Sequence, residues 1–201
     1  MQDEQIFRVI LTLGFVAVLP VGLYHRLKAH ALKDKLDRRQ EGIFILLTLR
    51  PIGVVGILGL FAWVIHPAWM AWASVSLPPW LRWIGVPLGV TGATLLIVTF
   101  RTLGTNITDT VVTRARHTLV TDGPYRWVRH PFYLAFALAM AADALVTANW
   151  FLALTGAVAI ALITIRTRTE ERKLIERFGD EYRHYMERTG RFIPRLQEWQ
   201  R

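Results

Sequence analysis

Five apolar runs divide the chain: Ile6 to Tyr24, Ile43 to Ile65, Trp83 to Phe100, Phe132 to Ala148 and Trp150 to Ile165. Each approaches the roughly 17 to 25 residues that a helix needs to cross a hydrocarbon core of about 30 Å, so the pattern predicts an all-α, polytopic membrane protein with five transmembrane helices. The last two runs are parted only by Asn149 and read as a tight helical hairpin. Beyond it, Glu170 to Arg188 is expected to continue as a helical segment outside the bilayer. Leu174, Phe178, Tyr182 and Tyr185 recur there at helical spacing, Glu170 heads the same stripe, and Gly179 before Asp180 marks a bend. No stretch is left over for a separate soluble domain, so residues 1–201 read as one membrane-embedded unit.

Composition agrees with this picture: 53% of residues are hydrophobic and 19% charged, and mean hydropathy is positive. The acidic start MQDEQ lacks the basic region of a cleavable signal, so the first run reads as a retained helix. There are no cysteines, which excludes disulfides and thiolate metal sites, and no metal is expected.

The net charge of +9 is explained by where it falls. His25 to Gly42 holds six Lys/Arg, Arg101 to Pro131 five and Arg166 to Arg201 ten, against one from His66 to Arg82. By the positive-inside rule the three basic segments and the C-terminus lie in the cytosol and the N-terminus outside, in a cytoplasmic membrane. Nucleic acid is not an expected partner, since no recognition fold accompanies the charge; membrane lipids are.

Several features read as membrane anatomy. Trp69, Trp72, Trp80 and Trp83 fit an interfacial aromatic belt around the outer loop. Gly85 with Gly89, and Gly53, Gly56 and Gly59, are packing surfaces within one chain or at a dimer seam, and the oligomeric state stays open. Arg50 either snorkels to the cytosolic interface or lines a polar pocket for substrate, and Asp143 poses the same choice.

The hairpin carries the chemistry. His130 lies about 20 residues before its turn and Glu170 about 20 after, so two helices rising ~1.5 Å per residue return them to one cytosolic level. A carboxylate heading an apolar stripe suggests a sheltered cationic partner, although a surface ion pair of Glu170 with Arg166 or Lys173 is the competing reading. Glu171 could instead face outward, paired to nearby arginines. Taken alone, RWVRHP could be no more than interfacial side chains before a helix begun by Pro131.

Two linked motifs decide otherwise. HTLVTDGPYRWVRHPFY at His117 to Tyr133 and RTRTEERKLIERFGDEYRHY at Arg166 to Tyr185, closed by RTGRFIPR, resemble the isoprenylcysteine carboxyl methyltransferases, with the phospholipid methyltransferases as close relatives. The resemblance covers most of the C-terminal half. It implies a membrane enzyme that binds S-adenosylmethionine (SAM) from the cytosol and admits a lipophilic acceptor from the bilayer.

By position, it implies that His117, Thr118, Leu119 and Val120 line the cofactor, and that Tyr125, His130, Pro131, Phe132 and Tyr133 form the next wall. Glu170, with Glu171 beside it, resembles the cofactor's carboxylate partner, and Arg166 the residue that orients the acceptor. Two departures stand out: Ala135 replaces a usual glycine, and Thr110 a longer polar residue.

Charge chemistry suits these roles. A sulfonium and an ammonium favour a carboxylate and aromatic faces, with cation–π contacts of ~0.5 to 2 kcal/mol, while the cofactor's own carboxylate wants Arg129 or His130. An acceptor carboxylate is already nucleophilic and needs only a cation; a thiol or amine wants a base, for which His130 is a candidate. Two other classes compete: an NADPH-dependent sterol-type membrane reductase, which the paired glutamates disfavour, and a nonenzymatic lipid-binding module.

Overall fold

In a computed structural model, residues 2–30, 47–104 and 118–195 can be described, and they are helical almost throughout. The main helices are α1 (Gln2–His30), α2 (Leu49–Ile65), α3 (Pro79–Leu103), α4 (Pro131–Thr147), α5 (Trp150–Phe178) and α6 (Asp180–Arg188). Short 3-10 helices cover Pro67–Ala73 and Gly123–Arg126. The pairings of Ser74 with Asn149 and Val128 with Gly190 are isolated bridges, and no strand forms among the described residues.

Among the described residues three helices are long and apolar enough to cross a membrane: α1 over Asp3–His25, α3 and α5. The apolar α2 and α4 are shorter, with 17 residues each. Ile43, the expected start of the second run, lies outside the described residues. The other differences are at helix ends. Pro79 takes the first position of α3, where its fixed φ suits a helix start, so α3 begins four residues before Trp83. Arg166 to Phe178 is rich in good helix formers, and α5 passes through it without a break. Gly179, with φ 55°, ends α5 and starts α6, which is the expected bend.

The turn of the hairpin is built by two residues. Ala148 is left-handed (φ 47°), and Asn149, 1% exposed, accepts from the backbone N–H groups of Phe151 and Leu152 at 3.1 Å each. Its amide donates to the Met70 carbonyl at 3.1 Å, which ties the hairpin to the 3-10 helix Pro67–Ala73. Asn149 therefore caps α5 as well as separating it from α4.

Phe7, Leu60, Trp63, Met70, Val146 and Leu152 pack into one core at this end. Arg82, the single basic residue from His66 to Arg82, closes it. Its Nη2 and Nε donate to the Val146 carbonyl at 2.7 and 3.0 Å, its Nη1 to Glu4 at 2.7 Å, and its guanidinium lies 4.4 Å from the Phe7 ring centroid. The belt tryptophans Trp69, Trp72, Trp80 and Trp83 are exposed, as expected for side chains at a bilayer interface.

Glycines set the closest approaches, all within one chain. A Cβ at Gly85 would stand 2.7 Å from Val146 Cγ2 and 2.9 Å from the Ala142 carbonyl, and one at Gly92 3.0 Å from the Ala135 carbonyl, so α3 and α4 touch backbone to backbone. Gly59 packs on Leu152 of α5, whereas Gly53 faces open space. Gly85→Ala is therefore expected to cost roughly 1 to 3 kcal/mol because the obstructing atoms include backbone, while Gly53→Ala is neutral or slightly stabilising. Thermal unfolding of both variants in detergent checks this; equal midpoints would refute the close approach.

Candidate active site

The loop before α4 turns sharply. Gly123 has φ 57°, and a Cβ there would stand 2.7 Å from Thr102 Oγ1, so only glycine lets the loop close on α3. Pro124 opens the 3-10 turn, in which the Val128 N–H donates to the Pro124 carbonyl at 3.2 Å. Arg129 and His130 follow, both buried, and Pro131 begins α4.

From the other side, α5 presents its two glutamates in different directions, as a rotation of ~100° per residue requires. Glu171 is 3% exposed. Its Oε1 accepts from Arg129 Nε at 2.8 Å and lies 3.3 Å from His130 Nε2, and its Oε2 accepts from Arg191 Nη2. A carboxylate can only accept, so the histidine contact places the imidazole proton on Nε2. Arg129 Nη1 donates further to the carbonyls of Met186, at 3.2 Å, and Thr189. The result is a buried knot in which one carboxylate answers two guanidinium groups.

Glu170 is half-buried and stands apart from that knot. Its Oε2 accepts from the Tyr133 hydroxyl at 2.9 Å. Arg166, one turn earlier on α5, is near enough for its charge to act on Tyr133. Burial, and secondarily the charge of Glu170, pushes the Tyr125 phenol far above its ordinary range, so it is a neutral donor at any physiological pH. The Tyr133 ring lies nearly parallel to His130 at 5.5 Å between centroids, and Phe192 reaches His130 from the opposite element at 5.9 Å.

The hairpin thus brings His130 and the glutamate pair to one level. Within that cluster Arg129 and His130 are engaged with Glu171, and Tyr133 with Glu170. Phe132 is half-buried against Phe100, 5.7 Å between centroids, and Pro131 is buried. Thr118 is exposed, Leu119 and Val120 are half-buried just before the 3-10 turn, and Arg50 is exposed in the first turn of α2. His117 and Thr110 lie outside the described residues.

Sequence reasoning left Glu171 open to facing outward; the structure makes it the inward one. The row Leu152, Gly156, Ala159, Ile163, Thr167, Glu171 is the buried face of α5, and extending it four residues beyond Thr167 reaches Glu171. The stripe from Leu174 to Tyr185 misled because Gly179 separates two helices within it. Arg191, Thr189 and Phe192 were assigned no role: they follow α6 in irregular backbone, where no periodicity signals burial.

Replacing Tyr133 with Phe tests the outer of the two glutamates. The ring and its stack on His130 remain and only the 2.9 Å bond to Glu170 goes. A bond to a charged group is worth about 1.5 to 3 kcal/mol. If Glu170 serves a ligand, Tyr133→Phe should weaken that ligand by roughly tenfold while the protein stays folded with a modestly lowered unfolding midpoint; unaltered affinity would detach Tyr133 from the site.

Apolar helices long enough to cross a bilayer define an integral membrane protein, and a charged cluster lies at one end of its helical hairpin. Residues 83–176 match the model of the isoprenylcysteine carboxyl methyltransferase (ICMT) family, a stretch that includes RWVRHPFY and RTRTEERKLIE. The chain is 44% identical over 70 residues to a methanethiol S-methyltransferase of Bradyrhizobium diazoefficiens, covering 35% of this chain and 24% of that protein. It is 30% identical over 126 residues to the protein-S-isoprenylcysteine O-methyltransferase of Homo sapiens, covering 61% and 44%. These matches each span less than half of the relative's length. The structure of a eukaryotic intramembrane Ras methyltransferase, ICMT, superimposes with a TM-score of 0.57 over 92% of this chain and 72% of that one, at 22% identity, which shows a shared fold.

Proposed function

We propose that the protein is an integral membrane methyltransferase that moves a methyl group from S-adenosylmethionine to a lipophilic acceptor, an isoprenylcysteine-type carboxylate or a related lipid or thiol. The observation that carries this reading is Glu170: a half-buried carboxylate bonded by Tyr133, with Tyr125 and Arg166 close by, in a chain similar to methyltransferases. Such a group suits a cationic ligand flanked by aromatic faces. The names of the relatives support both acceptor classes, a thiol and a prenylcysteine.

When bound, SAM would supply an electrophilic methyl group on a sulfonium. Glu170 would hold the positive end, with the rings of Tyr125 and Tyr133 as walls and His117, Thr118, Leu119 and Val120 beside them. Arg166 would pin the acceptor. Displacement at carbon requires the incoming atom to lie opposite the leaving sulfur, so alignment and the exclusion of water supply much of the rate. Arg129 and His130 already satisfy Glu171, so a cofactor carboxylate would share them with that residue.

We read the two 17-residue helices as crossings as well, five in all, and on that reading the positive-inside bias would put the site on the cytosolic side and the N-terminus outside. A helix of 17 residues is ~26 Å long, close to the hydrocarbon thickness.

Calorimetry in nanodiscs with SAM, its demethylated product and a reduced nicotinamide tests the reading. Binding of SAM and its product is expected. Binding of the nicotinamide alone would replace a methyltransferase by a reductase, and binding of none would leave a lipid-binding module. A radiolabelled methyl-transfer screen over prenyl thiols, prenylcysteine carboxylates and aminophospholipids then identifies the acceptor.

A further inference from the structure

The residues after α6 are held more firmly than irregular backbone at the edge of a membrane protein needs to be. The Arg129 N–H donates to the Gly190 carbonyl at 2.8 Å, the His130 N–H to the Arg191 carbonyl at 3.1 Å, and the Gly190 N–H to the Trp127 carbonyl at 3.3 Å. Thr189 and Gly190 are buried, and a Cβ at Gly190 would overlap the Ile193 carbonyl oxygen, so the segment doubles back tightly there. Arg191 then reaches Glu171, and Phe192 meets the His130 ring.

Followed outward, the contacts form a continuous series. Glu171 grips Arg191; the next residue, Phe192, lies against His130; His130 stacks on Tyr133; and Tyr133 donates to Glu170. The inner glutamate thereby acts on the outer one without touching it.

We propose that Thr189–Phe192 is a strap, locked by Glu171 through Arg191 and Arg129, that forms one wall of the donor pocket and fixes the orientation of His130, Tyr133 and Glu170. Glu171 and Arg191 are positioning residues. The inference rests on the reading of Glu170 as the donor's carboxylate partner. It assigns a role to RTGRFIPR, whose arginine and glycine no catalytic step uses, and divides the paired glutamates into one that meets the ligand and one that holds the wall.

The absence of cysteines permits a direct test. Trp127, 61% exposed, and Ile193, 80% exposed, lie at the two sides of the bridge and accept spin labels as a cysteine pair in the full-length chain. Removing Glu171 would leave the buried Arg129 guanidinium and the part-buried Arg191 without their carboxylate and endanger folding, so the variants are Arg191→Ala and Gly190→Ala, the second disturbing the strap without removing a charge.

Both are expected to broaden the label distance and weaken SAM roughly tenfold, as loss of outer supporting contacts does at other sites, with the acceptor KM at saturating donor unchanged. Arg191→Lys should recover part of the affinity. Unbroadened distances, or full SAM affinity in both variants beside a normally binding parent chain, would overturn the strap alone. Failure of the parent chain to bind SAM would overturn the donor reading and the strap with it.

Discussion

Glu170→Gln is expected to lower affinity for S-adenosylmethionine by about 10- to 100-fold while the protein stays folded. Glutamine keeps the shape and a carbonyl that can still accept from the Tyr133 hydroxyl, so what disappears is the charge. Two unit charges ~5 Å apart at an effective dielectric near 20 attract by about 3 kcal/mol, and partial solvent screening of a half-buried group reduces this to roughly 1.5 to 3 kcal/mol. Each 1.4 kcal/mol is about tenfold in affinity. The demethylated product has lost its sulfonium charge and keeps only the ammonium, so its affinity should fall less. Calorimetry with the two ligands gives the comparison, and equal losses would mean that Glu170 does not face the sulfur. Folding should survive because Glu170 lies outside the Arg129, Arg191 and Glu171 knot; the same substitution at Glu171 would leave the buried Arg129 and the part-buried Arg191 facing a neutral amide.

That contrast between adjacent residues also measures how far the sequence could be read. The hairpin was legible because a lone polar residue between two apolar runs has few options, and Asn149 takes one of them by capping α5. Its arithmetic also held: equal helix lengths on either side of the turn return His130 to the level of the glutamates. Which glutamate points inward was harder to read, because Leu174 and Phe178 belong to α5 while Tyr182 and Tyr185 belong to α6, and one helical wheel cannot be drawn through Gly179. The row from Leu152 to Thr167 held the answer. Glycines 85 and 89 announced a close helix contact but not its partner, which turned out to be the Ala142 carbonyl and Val146 of α4.

The strap had no comparable signal. Parallel pairing of Val128 with Gly190 joins residues 62 positions apart through backbone atoms, which carry no side-chain pattern. An arginine in a strongly basic C-terminal segment looks like one more contributor to the positive-inside bias. Arg191 contributes to that bias and is also half of an ion pair with the buried Glu171. Arg82 is the same lesson at the outer end, where one cation serves a helix terminus, a carboxylate and an aromatic face at once.

Arg166→Ala should leave the affinity for SAM near the parent value and reduce turnover of a carboxylate acceptor by about 100-fold, the loss that a displaced reacting group incurs. Arg166 occupies the same helix as Glu170 one turn nearer its apolar stretch, the side from which an acceptor entering from lipid would arrive, and its charge reaches Tyr133. A guanidinium can hold a carboxylate by two parallel bonds, whereas an ammonium is a point charge, so Arg166→Lys is expected to restore binding of the acceptor better than its turnover. The acceptor class enters the outcome. A prenylcysteine carboxylate loses an ion pair in the alanine variant and should suffer in both KM and kcat, but a neutral thiol has no such pair to lose and should suffer much less. Steady-state kinetics of parent and variant on one acceptor of each kind distinguish these cases, and turnover unchanged for both would remove Arg166 from the acceptor side of the site.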